Sequence, residues 1–279
     1  MSKLKKALEK AKETRIQENG SPMRTPVAER VPIPSPPLDT QTAEPVLEAH
    51  KPGPRTTRHV ELDRENLLNN KVITLYHHDR TSDKIRMLRT QVLEKLKATG
   101  GNSILISSPN PGEGKTVVAI NLAISMTQEV NRTTLLVDAD LRKPFVHRYL
   151  GFEAEKGLGQ YLLGEIELAD ALVNPGIDKL TILPGGNPLP SSTEYLGSPR
   201  MQSLVKELKE RYEDRIIIFD TTSLLTRADP IVFSENIDGI ILIIEAEKTS
   251  THDIERTLEI LKDRPILGTL YNKSRNSKA

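Results

Sequence analysis

The chain has 279 residues, enough for one large domain with appended segments, and its 39 basic and 38 acidic side chains leave a net charge of +1. That balance gives no electrostatic case for a nucleic-acid partner, and the absence of cysteine excludes disulfides, thiolate zinc sites and cysteine nucleophiles. Apolar runs such as 239–244 have strand length, far below the ~20 residues that span a bilayer, and the charged start Met1-Ser2-Lys3-Leu4 lacks an apolar signal core, so a soluble cytoplasmic protein is expected.

Residues 2–18 are rich in Lys, Glu, Ala and Leu, with Leu4, Leu8, Ala11 and Arg15 at helical spacing. They predict a short basic amphipathic helix over 1–20, of the kind that docks on a partner or on an anionic membrane surface. Over 21–57 the composition changes: nine of the 19 prolines fall between Pro22 and Pro54, with almost no large apolar residue. Such a segment cannot offset its ordering entropy, and a disordered, extended linker is expected. The globular domain is expected over 58–275, with a tail at 276–279. Residues 58–80 are ambiguous, one reading being an arm packed on the domain.

The pattern then alternates. Helices are predicted at 82–98, 115–130, 143–150, 156–173, 198–212, 228–236 and 250–263. Strands are predicted at 103–108, 133–138, 180–183, 215–220, 239–245 and 266–271. Continuously apolar, β-branched strands separated by helices indicate an α/β fold with a mostly parallel central sheet and helices on both faces.

Pro109-Asn110-Pro111-Gly112-Glu113-Gly114-Lys115-Thr116 joins a predicted strand to a predicted helix, the setting of a phosphate-binding loop. Glycines let successive backbone N–H groups curve around phosphates, and the helix N-terminus favours an anion. Pro111, Gly112, Glu113, Gly114, Lys115, Thr116 and Val117 are therefore expected to contact ATP. Lys115 would neutralise the β- and γ-phosphates, and Thr116 would offer its hydroxyl to Mg²⁺. The general pattern opens with glycine, where this chain has Pro109.

Two acidic motifs follow. Val137-Asp138-Ala139-Asp140 ends one predicted strand, at the rim where open α/β sheets bind ligands. Asp138 suits an acceptor of a hydroxyl proton or a holder of Mg²⁺-bound water, and Asp140 an orienting group, although strand-end Asp residues also serve as helix caps. Ile216-Ile217-Ile218-Phe219-Asp220 delivers another carboxylate to the Mg²⁺ shell, as a Walker B strand does. Lys115, Asp138, Asp140 and Asp220 are thus the expected catalytic set, and Thr116, Asp138 and Asp220 the expected metal set.

Together these motifs resemble the bacterial tyrosine kinases of capsular and exopolysaccharide biosynthesis, within the MinD/ParA-like group of P-loop ATPases. Ser108–Thr116 is similar to the family's S-P-x-P-G-E-G-K-[ST], in which proline at the first position is usual. Residues 137–144 resemble its V-D-A-D-L-R-[RK]-P. Asp83, Arg86 and Arg89 fall where the family has E-x-x-R-x-x-R on a helix that packs kinase domains into a ring. Residues 190–198, with Glu194 and Leu196, resemble P-x-x-x-E-L-L-x-S. Partitioning ATPases carry a lysine where this chain has Asn110, which favours the kinase branch. The resemblance implies a P-loop protein-tyrosine kinase using Mg·ATP. It also implies a transmembrane polysaccharide co-polymerase as activator, which recruits the chain to the inner face of the membrane, and self-association through Asp83, Arg86 and Arg89. Asn272 lies where the larger group often reads the adenine edge, though an Asn after a strand is as often a turn residue. Thr221-Thr222-Ser223 replaces the family's x-P-P after the Walker B Asp. The six tyrosines (Tyr76, Tyr149, Tyr161, Tyr195, Tyr212 and Tyr271) are scattered, so a phosphorylated tyrosine cluster after Tyr271 is not expected. An ATPase switch of the MinD/ParA kind and a nucleotide-binding scaffold are the alternatives.

Overall fold

The structure, a computed structural model, describes residues 57–75, 80–212 and 214–274. The helix expected over 1–20, the linker expected over 21–57 apart from Thr57, the tail 276–279 and Tyr76 lie outside the described residues.

Among the described residues one sheet of eight strands carries the fold. In chain order they are β1 (Arg58–His59), β2 (Ser103–Ser107), β3 (Thr133–Asp138), β4 (Val173–Asn174), β5 (Leu180–Leu183), β6 (Arg215–Asp220), β7 (Gly239–Glu245) and β8 (Ile266–Asn272). Their spatial order is β1-β4-β5-β3-β6-β2-β7-β8, and every pairing is parallel except that of β4 with β5. The expected α/β architecture of a P-loop NTPase is what forms.

The central strands are apolar at every position because both faces of the sheet are covered. Ile104, Ile106, Leu136, Ile216 and Ile218 enter one core, and their chain neighbours Leu105, Leu135, Val137, Ile217 and Phe219 enter the other. The first face is covered by α1 (Arg64–Asn69), α2 (Arg80–Thr99), α3 (Lys115–Met126) and α4 (Val146–Leu150), which supply Leu67, Leu96, Ile120 and Val146. The second is covered by α5 (Leu158–Leu163), α6 (Leu168–Ala171), α7 (Ser192–Leu196), α8 (Pro199–Glu210), α9 (Asp229–Phe233) and α10 (Thr251–Ile260). On that side the Phe233 ring meets Phe219 edge-on, 4.8 Å between centroids.

The ambiguous stretch after residue 57 is an arm of the domain. Its β1 adds to the sheet edge beside β4, and Leu67 and Val72 are fully buried. Asn121 of α3 holds it. The side-chain oxygen accepts from the backbone N–H of Ile73 at 2.9 Å and from the Thr74 hydroxyl at 2.9 Å, while the amide donates to the Lys71 carbonyl at 2.9 Å.

Elsewhere the differences are local. The single helix expected over 156–173 is two short ones, because Gly164 takes φ +82° and closes α5 with a left-handed cap. Helix α3 stops at Met126 rather than near 130, where the Thr127 hydroxyl donates back to the Ile124 carbonyl at 2.8 Å. The two-residue strands β1 and β4 and the helix α7 are too short to show a period. On α2, Arg89 faces into the chain. It donates to the Ser125 carbonyl at 2.8 Å and pairs with Glu129 at 2.8 Å, tying α2 to the end of α3. Asp83 and Arg86 pair with one another. No helix among the described residues is long and apolar enough to cross a membrane.

Candidate functional site

The loop from Ser108 to Gly114 runs out of β2 at the sheet's centre and turns into α3. Gly112 and Gly114 take φ +81° and +97°, a region costly for any residue with a Cβ. At Gly114 the space is also filled: a Cβ there would lie 2.2 Å from the Asn272 side-chain nitrogen.

The loop is gripped from the β8 side. The Asn272 amide donates to the Glu113 carbonyl at 2.8 Å, and Lys273 Nζ donates to the Gly112 carbonyl at 2.6 Å. The Glu113 side chain is buried within the loop's own wall. One oxygen accepts from the Asn110 N–H at 2.9 Å and the other from the Thr249 hydroxyl. Asn110 in turn donates to Asp253 at 3.1 Å. Glu113 and Asn272, both expected to contact nucleotide, thus spend their side chains on loop shape. Val117 sits in the first turn of α3, its carbonyl accepting from Asn121 at 2.8 Å.

A cleft of about 640 Å³ opens above the loop. Pro111, Gly112, Gly114, Lys115 and Thr116 line one side, Asp140, Arg142, Lys143, Phe145 and Tyr149 another, and Thr221, Thr222, Ser223, Thr226 and Arg227 a third. Lys115 Nζ donates to the Ser108 hydroxyl at 3.1 Å. Burial holds the Lys115 ammonium below its ordinary pKa, while Asp220, Asp140 and Glu113 act in the opposite direction.

Three carboxylates gather at the strand ends. Asp138 and Asp220 are cross-strand partners at the last positions of β3 and β6, both buried. Asp138 accepts from the backbone N–H groups of Phe145 at 2.9 Å and Val146 at 3.0 Å, capping α4, and from Asp140 at 3.2 Å. Burial, with Asp220 nearby, raises its pKa far above the usual range. Burial pushes Asp220 up to about 7, against the Thr116 hydroxyl and the Lys115 charge beside it. Asp140 reaches the cleft and caps its own turn, accepting from the Lys143 N–H at 3.0 Å. Burial raises it too, opposed by the Lys143 N–H and by Lys115.

One oxygen of Asp220 is buried with no hydrogen-bond partner. A carboxylate oxygen in that condition is costly unless a cation takes it. Thr116 beside it supplies a hydroxyl oxygen, so these two donors fit a hard divalent cation.

The residue pattern did not reveal the group behind Arg142. Asp229 is fully buried and accepts from the hydroxyls of Ser192 and Thr193, and Arg142 pairs with it at 3.6 Å. The sequence signals were Asp229 at the start of its helix and the 190–198 motif, but nothing local joins them. Thr221–Ser223 is held by hydrogen bonds to β2. Thr221 Oγ1 donates to the Ile106 carbonyl at 3.0 Å, and the Ser107 hydroxyl donates to the Thr222 carbonyl at 2.7 Å.

Residues 101–265 match the family model described as an AAA domain. The chain is 33% identical over 199 residues to the tyrosine-protein kinase YwqD of Bacillus subtilis, covering 71% of this chain and 83% of the relative. This chain belongs to the bacterial tyrosine-kinase family. Among solved structures, the kinase domain of the Escherichia coli tyrosine kinase ETK superposes with a TM-score of 0.64 at 27% identity, over 70% of this chain and 77% of that one. The septum site-determining protein MinD of Pyrococcus horikoshii, complexed with Mg-ADP, superposes with a TM-score of 0.54 at 26% identity, over 63% and 72%. The loop of this family member is therefore a nucleotide-binding P-loop.

Proposed function

We propose that the chain transfers the terminal phosphoryl group of Mg·ATP to a protein tyrosine and so regulates capsular or exopolysaccharide assembly. The observation that carries this is the unpaired Asp220 oxygen beside Thr116 and Lys115, under a cleft that also receives Asp140. Thr116 and Asp220 would hold Mg²⁺. The ion's shell needs few protein ligands. Bound there, the ion would offset charge on the transferring phosphoryl group. Lys115 adds to that neutralisation, and the loop's N–H groups fix the phosphates. The acceptor hydroxyl meets the Asp138–Asp140 pair. Asp140 lines the cleft, while Asp138 holds the turn that presents it. A carboxylate raised by burial is a better proton acceptor than an ordinary one.

The partner in this reading is a transmembrane polysaccharide co-polymerase that activates the chain at the inner face of the membrane. Self-association would use the exposed Asp83 and its neighbour Arg86. Arg89 is committed to α3, which limits its share of that contact.

The test is incubation of the purified full chain, with its membrane partner, in γ-labelled ATP. Label in phosphotyrosine, lost with Asp140→Asn or Asp138→Asn, supports the kinase. Phosphate release without labelled protein would instead establish a MinD-like ATPase switch.

A further inference from the structure

We propose that the Thr222 hydroxyl is a further nucleotide contact, donating a hydrogen bond to the terminal phosphate of ATP. This rests on the nucleotide-binding reading of the cleft and adds a specificity element to it.

Three hydroxyl residues follow Asp220, and the structure accounts for two of them. Thr221 Oγ1 donates to the Ile106 carbonyl at 3.0 Å, and Ser223 Oγ shares a hydrogen with Thr226 Oγ1 at 2.5 Å. Thr222 Oγ1 is buried with no partner, although the residue lines the cleft with Lys115 and Thr116. Its backbone is pinned, because its carbonyl accepts from Ser107 at 2.7 Å and the N–H of Leu224 donates to the Ser108 carbonyl at 2.9 Å. The hydroxyl cannot find a partner by backbone drift. A single χ1 step, which exchanges its two branches, is the freedom it has.

A buried, unpaired donor in a binding cleft is a cost that a ligand acceptor removes. The ligand end nearest to it follows from its neighbours. Two residues earlier, Asp220 holds another unpartnered oxygen, and Lys115 and Thr116 line the same cleft as Thr222. Those groups serve the phosphates rather than the base.

Calorimetric titration of the full chain with Mg²⁺ plus ADP, and with Mg²⁺ plus a non-hydrolysable ATP analogue, reads the contact directly. Thr222→Val removes the hydroxyl at constant shape. It should weaken the ATP analogue about tenfold or more, the worth of a hydrogen bond to a charged acceptor, and leave ADP within about twofold. Thr222→Ser should bind as the unaltered chain does. If Thr222→Val melts early, comparing Thr222→Ser with Thr222→Ala isolates the same hydroxyl. Equal affinity of all variants for the ATP analogue would overturn the proposal, as would parallel loss of ADP and ATP analogue. Failure of the unaltered chain to bind Mg·ADP would instead remove the nucleotide reading itself.

Discussion

Asp138 and Asp220 face each other in register at the ends of adjacent parallel strands, both buried. Two like charges so placed repel, and burial penalises both, so the pair takes up protons far more readily than free carboxyls. Asp220 is pushed up to about 7, against ~3.9 in an unfolded chain. The folded state therefore holds this proton more tightly. The resulting stability is complete below about pH 4 and is lost as pH rises through about 7. Asp220→Asn, neutral at every pH, should melt above the unaltered chain at about pH 8 without nucleotide, by roughly 2 kcal/mol or more. The gap should close towards about pH 5. Parallel melting curves at both pH values would show that the pair carries no such strain.

Mg²⁺ should reverse that penalty. With nucleotide and Mg²⁺ in excess, the cation should take the unpaired Asp220 oxygen, and binding of a ligand to the folded state raises its melting temperature. Chelation with EDTA should then lower the melting temperature of the unaltered chain but move Asp220→Asn little. Differential scanning fluorimetry with and without EDTA reads this. An identical shift in both proteins would place the cation elsewhere.

Lys115 supplies positive charge in a partly dehydrated cleft, where electrostatic terms weigh more than in water. Lys115→Met keeps the aliphatic packing and should cost on the order of 10²–10³ in phosphoryl transfer. Initial rates with a γ-labelled substrate, beside an unchanged melting temperature, are the check. A residual rate within threefold would remove Lys115 from the catalytic set.

Asn272 holds the P-loop from outside, through its bond to the Glu113 carbonyl, and Gly114 leaves it the room to do so. Asn272→Ala should weaken Mg·ATP and Mg·GTP by the same factor, several-fold, because loop order is lost for any purine nucleotide. If the substitution abolished only a preference for ATP over GTP, the side chain would be reading adenine after all.

Arg89 satisfies the Ser125 carbonyl near the end of the P-loop helix and pairs with Glu129. Arg89→Ala should destabilise the chain by about 1–3 kcal/mol, the cost of leaving partly buried partners unsatisfied. Urea unfolding at low protein concentration, where subunits separate, tests it. Loss of assembly with an unchanged midpoint would return Arg89 to a subunit interface.

The sequence by itself determined the parallel sheet, because strands such as 215–220 that are apolar at every position need cover on both faces. It determined the loop and its Lys115 and Thr116 as well, since left-handed glycines followed by Lys-Thr at a helix start are a local pattern with a local physical cause. The acidic strand ends were legible for the same reason. What each carboxylate does was decided by the fold, because packing and the following turns bring its partners to it. Asp138 is capped by N–H groups from the following turn, Glu113 is turned into the wall by Thr249, and Asp229 waits for Arg142 from another strand end. Only the packed structure leaves Asp220 and Thr222 each with one buried oxygen unpaired, because hydrogen-bond satisfaction is a property of the whole neighbourhood rather than of any residue in it.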